Sequence, residues 1–319
     1  MTRFHSILVA TDFSADATHA VRSAARLAEQ HAARLTLLHV VSRTGFKPLR
    51  RWFTPSIDVD FKTAQARALF RQFAAEIAGR HGVQVRHRIV VGDAFNEILR
   101  ASDAADLLVI GQRGTSPLKD LLIGSTADRL SRRCRCAMLI VKQSSEDPYR
   151  RVLLPVDFTV HSLATLRTVA ALAPAAQLHV LHVLEASPRF GEQFAEDAND
   201  LIRDRRALTQ KEAKVRVDQL IKLAEVDVGR AFGQVDRGEA WLSALHHERA
   251  LDADLIAVGS RSSSTLADFV LGRVTRRVLA KSRSDVLIIP LAAAELGRVK
   301  SIQPASSRLG LTAENRRVA

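Results

Sequence analysis

Gly111 to Thr126 reads G-Q-R-G-T-S-P-L-K-D-L-L-I-G-S-T, and its punctuation governs how the rest of the chain is read. It follows a strand-like apolar run, Leu107-Leu108-Val109-Ile110, and leads into a helix-like one. Gly111 and Gly114 end the strand, and Gly124 opens the helix together with the hydroxyl residues Ser125 and Thr126. Glycine lets the main chain approach a ligand closely, and a helix N-terminus carries unpaired N–H donors and partial positive charge. A strand–loop–helix of this composition can cradle a phosphate, which points to a nucleotide. A plainer reading, in which the glycines serve turn geometry alone, uses the same residues.

Outward from this stretch the chain repeats itself. I-L-V-A-T-D-F-S at 7–14 returns as V-L-L-P-V-D-F-T at 152–159, and L-L-H-V-V at 37–41 as V-L-H-V-L at 180–184. V-V-G-D-A-F at 90–95 returns as V-D-R-G-E-A-W at 235–241, and A-D-L-L-V-I-G at 105–111 as A-D-L-I-A-V-G at 253–259. C-A-M-L-I-V at 136–141 returns as D-V-L-I-I-P at 285–290. The order is kept, so the chain reads as a tandem duplication: a first domain over 1–143, a second over 150–292, and a basic tail over 293–319.

Within the first repeat, strands and helices alternate. Strands are expected at 7–11, 35–41, 83–91, 107–110 and 137–141. The first helix would bury Ala20, Val21, Ala24, Leu27 and Ala28, a face of helical period. The second would bury Ala66, Leu69, Phe70, Phe73 and Ile77, the third Phe95, Ile98 and Leu99, and a last helix runs from Ser125 to Arg133. Strands apolar on both faces and separated by helices imply a parallel sheet covered on both sides. Ligands bind such sheets beyond the carboxyl ends of the strands, where the winding reverses. If the first and fourth strands are neighbours, Asp12 and Gly111 face one crevice.

Composition narrows the function classes. The chain has 319 residues, 47% of them apolar, 25% charged, and a net charge of +13. No apolar run approaches the roughly 20 residues of a membrane span, and the N-terminus has no apolar signal core, so residence in the cytoplasm is expected. The basic residues are scattered rather than gathered in an aromatic-studded ribbon, so sequence-specific nucleic-acid binding is not expected. Cys134 and Cys136 form no zinc framework and read as small residues between a helix and a strand.

Taken together, these runs resemble the universal stress protein family, over both repeats. Its ATP-binding members carry G-x2-G-x9-G-(S/T), matched here by Gly111, Gly114, Gly124 and Ser125. The resemblance implies an α/β fold of two tandem open parallel sheets, Rossmann-like, strand order 3-2-1-4-5, with helices on both faces. It implies ATP, with or without Mg2+, as the cofactor. Adenine would lie near Ala10, Asp12 and the main chain of Val40, and ribose and phosphates would meet Gly111, Arg113 and Gly114. Gly124, Ser125 and Thr126 would hold the outer phosphates. With no Walker-type lysine in the motif, the grip falls to main-chain donors, and Arg113 and Lys119 would add charge. The second repeat keeps Asp157, Gly259 and Gly272 but has Ser262 for the second glycine and Arg273-Val274 for the hydroxyl pair. It is expected to bind ATP weakly or not at all.

Other residues have plain readings. Asp12 reads equally as a carboxylate capping the helix that follows, since Asp157 persists in the degraded repeat. His39 and His182 read as hydrogen-bonded core histidines, and His246-His247 as surface. Arg132, Arg133 and Arg135 complement a helix dipole. The aromatic stretch Gly45 to Phe61 is expected to be a long connection serving as a lid, an interdomain contact or a simple loop. The apolar fifth strands, 137–141 and 285–290, would be exposed at sheet edges. The repeats are therefore expected to pack there as an internal pseudo-dimer, with further homodimerisation open. No catalytic or metal-ligating residue is assigned: no H-I-G-H-like motif, S-G-G-x-D-S loop or base aimed at the phosphates is present. The expected function is nucleotide-dependent regulation in a stress response. The alternatives are a slow ATPase or nucleotidyl-transfer enzyme, and an interaction module that binds no nucleotide.

Overall fold

Each repeat folds as five strands alternating with four helices in a computed structural model, which describes residues 4–42, 55–114, 123–145, 147–185, 198–227, 229–260 and 272–290. The first repeat comprises β1 (Ser6–Ala10), α1 (Ala15–His31), β2 (Arg34–Val41), α2 (Pro55–His81), β3 (Val85–Val91), α3 (Ala94–Ser102), β4 (Leu107–Gly111), α4 (Ser125–Ser131) and β5 (Ala137–Val141). The second comprises β6 (Arg151–Val156), α5 (Val160–Leu172), β7 (Gln177–Leu184), α6 (Ala198–Leu223), β8 (Ala231–Arg237), α7 (Ala240–Leu251), β9 (Leu255–Ser260), α8 (Arg273–Lys281) and β10 (Asp285–Pro290).

Local chemistry accounts for these elements. The Ser14 side chain caps α1 by accepting from the Ala17 amide, Asp16 sits in its positive first turn, and the helix stops at Ala32 in the left-handed region. Its predicted apolar face is fully buried. Strand residues alternate between two layers. Ile7, Val9, Leu107 and Val109 pack with α1, α2, α5 and α6, whereas Leu8, Leu108 and Ile110 pack with α3, α4, α7 and α8. Strands buried on both faces cannot show a polar alternation, which is why they read as continuous apolar runs.

The strand order is β3-β2-β1-β4-β5-β10-β9-β6-β7-β8, one sheet of ten. Within each repeat all pairing is parallel; the seam between repeats is the antiparallel pair β5–β10, with Leu139 opposite Leu287 and Met138 opposite Ile288. The fifth strands are thus buried along their whole length rather than exposed at edges. Because the seam reverses strand direction, the carboxyl ends of the two repeats face opposite edges of the common sheet.

Three sequence expectations shift. Residues 55–61 of the supposed long connection belong to α2, and residues 43–54 lie outside the described residues. β3 begins at Val85 rather than Val83. α4 ends at Ser131 because the chain turns there, the Arg133 and Cys134 amides both returning to the Leu130 carbonyl.

Polar groups flank the seam. Buried Asp285 accepts from the Lys142 and Gln143 amides (2.8 and 3.0 Å) and from the Tyr149 hydroxyl (2.7 Å). Lys142 Nζ donates to the Leu279 and Ser282 carbonyls at 2.8 and 2.9 Å. Burial holds this ammonium down at about 8 against an ordinary 10.5, with the Glu248 and Asp285 carboxylates opposing the fall. The unfolded chain therefore binds the Lys142 proton more readily between about pH 8 and 10.5, and the stability that Lys142 withholds at lower pH returns as pH rises. In paired denaturant titrations across that window, the native chain is expected to gain stability relative to Lys142→Met; a difference independent of pH contradicts this placement of Lys142.

Candidate functional site

β1 and β4 are hydrogen-bonded neighbours, Ile7 beside Leu107 and Val9 beside Val109. α1 and α2 cover one face of the first repeat and α3 and α4 the other. The winding therefore reverses between β1 and β4, and the crevice expected at such a point lies beyond their carboxyl ends. Ala10 ends β1, and Val40 lies in β2 two residues beyond Leu38, the register partner of Ala10. Gly111 ends β4, and Ser125 and Thr126 begin α4.

The glycines are held together by close backbone contacts. A Cβ on Gly111 would stand 2.7 Å from the carbonyl carbon of Asp16 and 2.9 Å from the Ala17 amide, so the end of β4 reaches the first turn of α1 only without a side chain. A Cβ on Gly114 would meet the Asp12 Oδ2 atom at 2.5 Å. The Gly124 amide donates to the Gln112 carbonyl at 3.0 Å, which closes the two ends of the loop on each other. Residues 115–122, Lys119 among them, lie outside the described residues.

Two carboxylates organise this mouth. Asp12 Oδ1 accepts from the Ser14 amide at 3.1 Å, a local turn ahead of the helix whose cap is Ser14 rather than Asp12, while its other oxygen faces Gly114. Asp16 Oδ2 accepts from the Arg113 amide at 3.1 Å and ties the loop after β4 to α1. Asp16 was not singled out in the sequence; its place in the first turn of α1 was the available signal. No side chain caps α4, whose N-cap is Gly124.

Behind the crevice, His39 Nδ1 lies 2.8 Å from the Thr11 carbonyl, which makes that nitrogen the donor. His182 does the same to Val156 at 2.9 Å in the second repeat. Both rings are half-buried rather than sealed in the core. Against them pack Phe13 and Phe158, both at positive φ (63° and 58°), with ring centroids 4.6 and 4.0 Å away. Non-glycine residues seldom adopt that conformation; the repeated D-F-S and D-F-T runs mark it in the sequence. Arg129 stacks over Phe95 at 4.0 Å and Arg277 over Trp241 at 5.0 Å, a matched pair of cation–π contacts joining α3 to α4 and α7 to α8.

The second repeat uses its corresponding residues differently. Asp157 Oδ1 keeps the bond from the Thr159 amide that Asp12 accepts from Ser14, and adds the Thr159 and Ser162 hydroxyls. His161 stands where Asp16 stands in the first repeat. Arg273, at the start of α8, is exposed and lies 3.5 Å from Glu239. Ser262 lies outside the described residues. His246 is exposed, but His247 is half-buried and 3.3 Å from Asp236, so it is not simply surface. Arg132 pairs with Asp128 at 2.9 Å, one turn back on α4. Among the described residues no group of three His, Cys, Asp or Glu side chains is placed to hold a metal ion, and no helix is long and apolar enough to cross a membrane.

The model of the universal stress protein family matches residues 3–142 and again 148–290. A universal stress protein of Mycolicibacterium smegmatis is 28% identical over 302 residues, 89% of this chain and 97% of its own length. Universal stress protein YxiE of Bacillus subtilis is 32% identical over 149 residues, 44% of this chain and 99% of its own. The crystal structure of a universal stress protein from Archaeoglobus fulgidus shares the fold with a TM-score of 0.65 at 18% identity, over 89% of this chain and 98% of that one.

The contacts separate the glycines by role. Gly111→Ala forces a methyl group into the backbone of α1 and is expected to cost about 1–3 kcal/mol, as overpacking does. Gly124→Ala, whose new methyl meets nothing closer than 3.4 Å, is expected to cost less than about 1 kcal/mol, the order of a lost helix cap. Denaturant unfolding of both variants checks the ranking; equal losses contradict it.

Proposed function

Because the chain belongs to the universal stress protein family, we propose that its first repeat binds an adenine nucleotide, ATP foremost, at the carboxyl ends of β1 and β4, and that its second repeat does not. The observation that carries this reading is the closed loop: Gly124 bonded to Gln112, with Gly114 against Asp12. Ala10, Asp12 and Val40 are assigned to adenine and ribose, and Gly111 to Gly114 and Gly124 to Thr126 to the phosphates. Within that set the roles divide. Gly111 is a spacer, and the Arg113 and Gly124 amides are engaged by Asp16 and Gln112. The Gly114, Ser125 and Thr126 amides and the two hydroxyls are therefore assigned the anion, where an N-terminal helical turn favours negative charge.

On this reading the domains are 1–143 and 150–292, with 293–319 a tail, and the protein is a cytoplasmic regulator of a stress response. Nucleotide that favours one conformation would shift an equilibrium with a partner or a second copy. In the second repeat, the locally engaged Asp157 and the Arg273–Glu239 pair support loss of the site.

A universal stress protein 27% identical over 44% of this chain has been solved in complex with cAMP, so the cyclic nucleotide belongs in the same assay. Calorimetric titration of the full chain with ATP, ADP and cAMP is expected to give one site per chain. Ser125→Ala is expected to weaken ATP roughly 10- to 100-fold, the worth of about one charged hydrogen bond of 1.5–3 kcal/mol. Gly114→Val is expected to abolish binding in a chain that still folds. A folded native chain that takes up no nucleotide, or that fills two equal sites, contradicts the proposal.

A further inference from the structure

The turn from α4 to β5 holds the chain's two cysteines, with Cys134 Sγ 3.4 Å from Cys136 Sγ. We propose that Cys134 and Cys136 are a reactive dithiol, oxidised by peroxide to a disulfide within the first repeat. The duplication supplies an internal comparison. Strand register sets Ala137 beside Leu107 and Asp285 beside Leu255, which shifts the match of the fifth-strand runs by one residue, so that Cys134-Arg135-Cys136 corresponds to Ser282-Arg283-Ser284, as it does when aligned through Gly124 and Gly272; aligned through Gly92 and Gly238, Ser102 corresponds to Glu248. In the second repeat the corner is fixed by the carboxylate. Glu248 Oε1 accepts from both serine hydroxyls, at 2.8 and 2.6 Å, and from the Arg283 and Ser284 amides. In the first repeat no carboxylate occupies that place. The Cys134 thiol donates to Ser102 Oγ at 3.6 Å and lies against the Cys136 sulfur. The same backbone corner thus brings two sulfurs together where its twin brings two hydroxyls onto an acid.

Disulfide sulfurs lie about 2 Å apart, a gap that side-chain rotation can close from 3.4 Å. The thiols are buried, but Arg133 and Arg135, the residues flanking Cys134, are exposed, so the pair lies one layer beneath the surface. The Cys136 thiol, hydrogen-bonded to Cys134, lowers the Cys134 pKa to about 7 against the opposition of burial, with Ser102 assisting, and is itself pushed up by the same contact and by burial. This asymmetry makes Cys134 the nucleophile and Cys136 the resolving thiol. The Cys134 thiolate attacks one peroxide oxygen and the O–O bond breaks. Hydroxide leaves and takes up a proton to become water, and Cys134 becomes a sulfenic acid. The Cys136 sulfur then attacks Cys134, the S–O bond breaks, and a second water leaves with the Cys136 proton. Two thiols have lost two electrons, and hydrogen peroxide has gained them.

The test is the reduced, folded full chain treated with a small excess of hydrogen peroxide, then alkylated and weighed intact. The expected product is a monomer lighter by two hydrogens that takes no alkyl group and is restored by dithiothreitol. Its rate of formation should rise several-fold as pH climbs through about 7. Cys136→Ser should trap a sulfenic acid at Cys134 that reacts with dimedone, whereas Cys134→Ser should leave Cys136 inert. Serine already occupies both positions of the twin corner, and the wild-type mass stands without either variant. Thiols that stay alkylatable after peroxide, a chain-to-chain disulfide, or a sulfinic acid on the wild-type chain would each overturn the proposal.

Discussion

The end of β4 presses so closely on the first turn of α1 that no side chain fits at position 111. That contact sets the mouth of the first repeat. With β4 against the helix, Asp16 reaches the Arg113 amide, Gly114 comes up against Asp12, and the loop's far end returns to Gln112. Each step depends on the one before, because a backbone displaced at Gly111 would carry residues 112–114 away from both carboxylates. The second repeat has a looser version. A Cβ on Gly259 would meet a threonine hydroxyl at 3.2 Å rather than helix backbone, and a histidine replaces the anchoring aspartate. Two copies of one fold therefore differ at the crevice through a few side chains, with the sheet unchanged.

The seam explains how such divergence is tolerated. β5 and β10 pair antiparallel at the middle of the ten-stranded sheet, so the carboxyl ends of the two repeats lie at opposite edges. Each repeat also covers the otherwise exposed fifth strand of the other, a standard remedy for an unpaired edge. The ten-stranded sheet is completed by strand pairing across the seam, at a distance from either crevice. At the seam Asp285 gathers two amides and a tyrosine hydroxyl, and Lys142 caps the carbonyls at the end of α8.

Much of this was legible in the residues. The ordered repetition, the helical face from Ala20 to Ala28 and the apolar fifth strands led to a doubled parallel α/β fold with its seam at those strands, because burial on one or both faces leaves a direct trace in hydrophobic pattern. The hydrogen-bonded histidines were legible as well, though not their half-exposure. What escaped was set by tertiary contacts that leave no periodic trace. Asp16 looks like any acidic residue in a first turn until the loop amide above it is seen. The start of α2 at Pro55 was hidden by an aromatic stretch without helical period. The cysteines read as small spacers because their approach depends on a turn closed by Leu130. The glycine motif was visible, but not that its members divide into a spacer, an engaged amide and an open one.

Hydrogen–deuterium exchange of the full chain with and without ATP tests the central claim most directly, since it reads the same amides that the geometry assigns. The account predicts slowed exchange at Gly114, Ser125 and Thr126, with 259–260 and 272–274 unchanged. Protection confined to the second repeat, spread evenly over both, or absent at saturating nucleotide would contradict it.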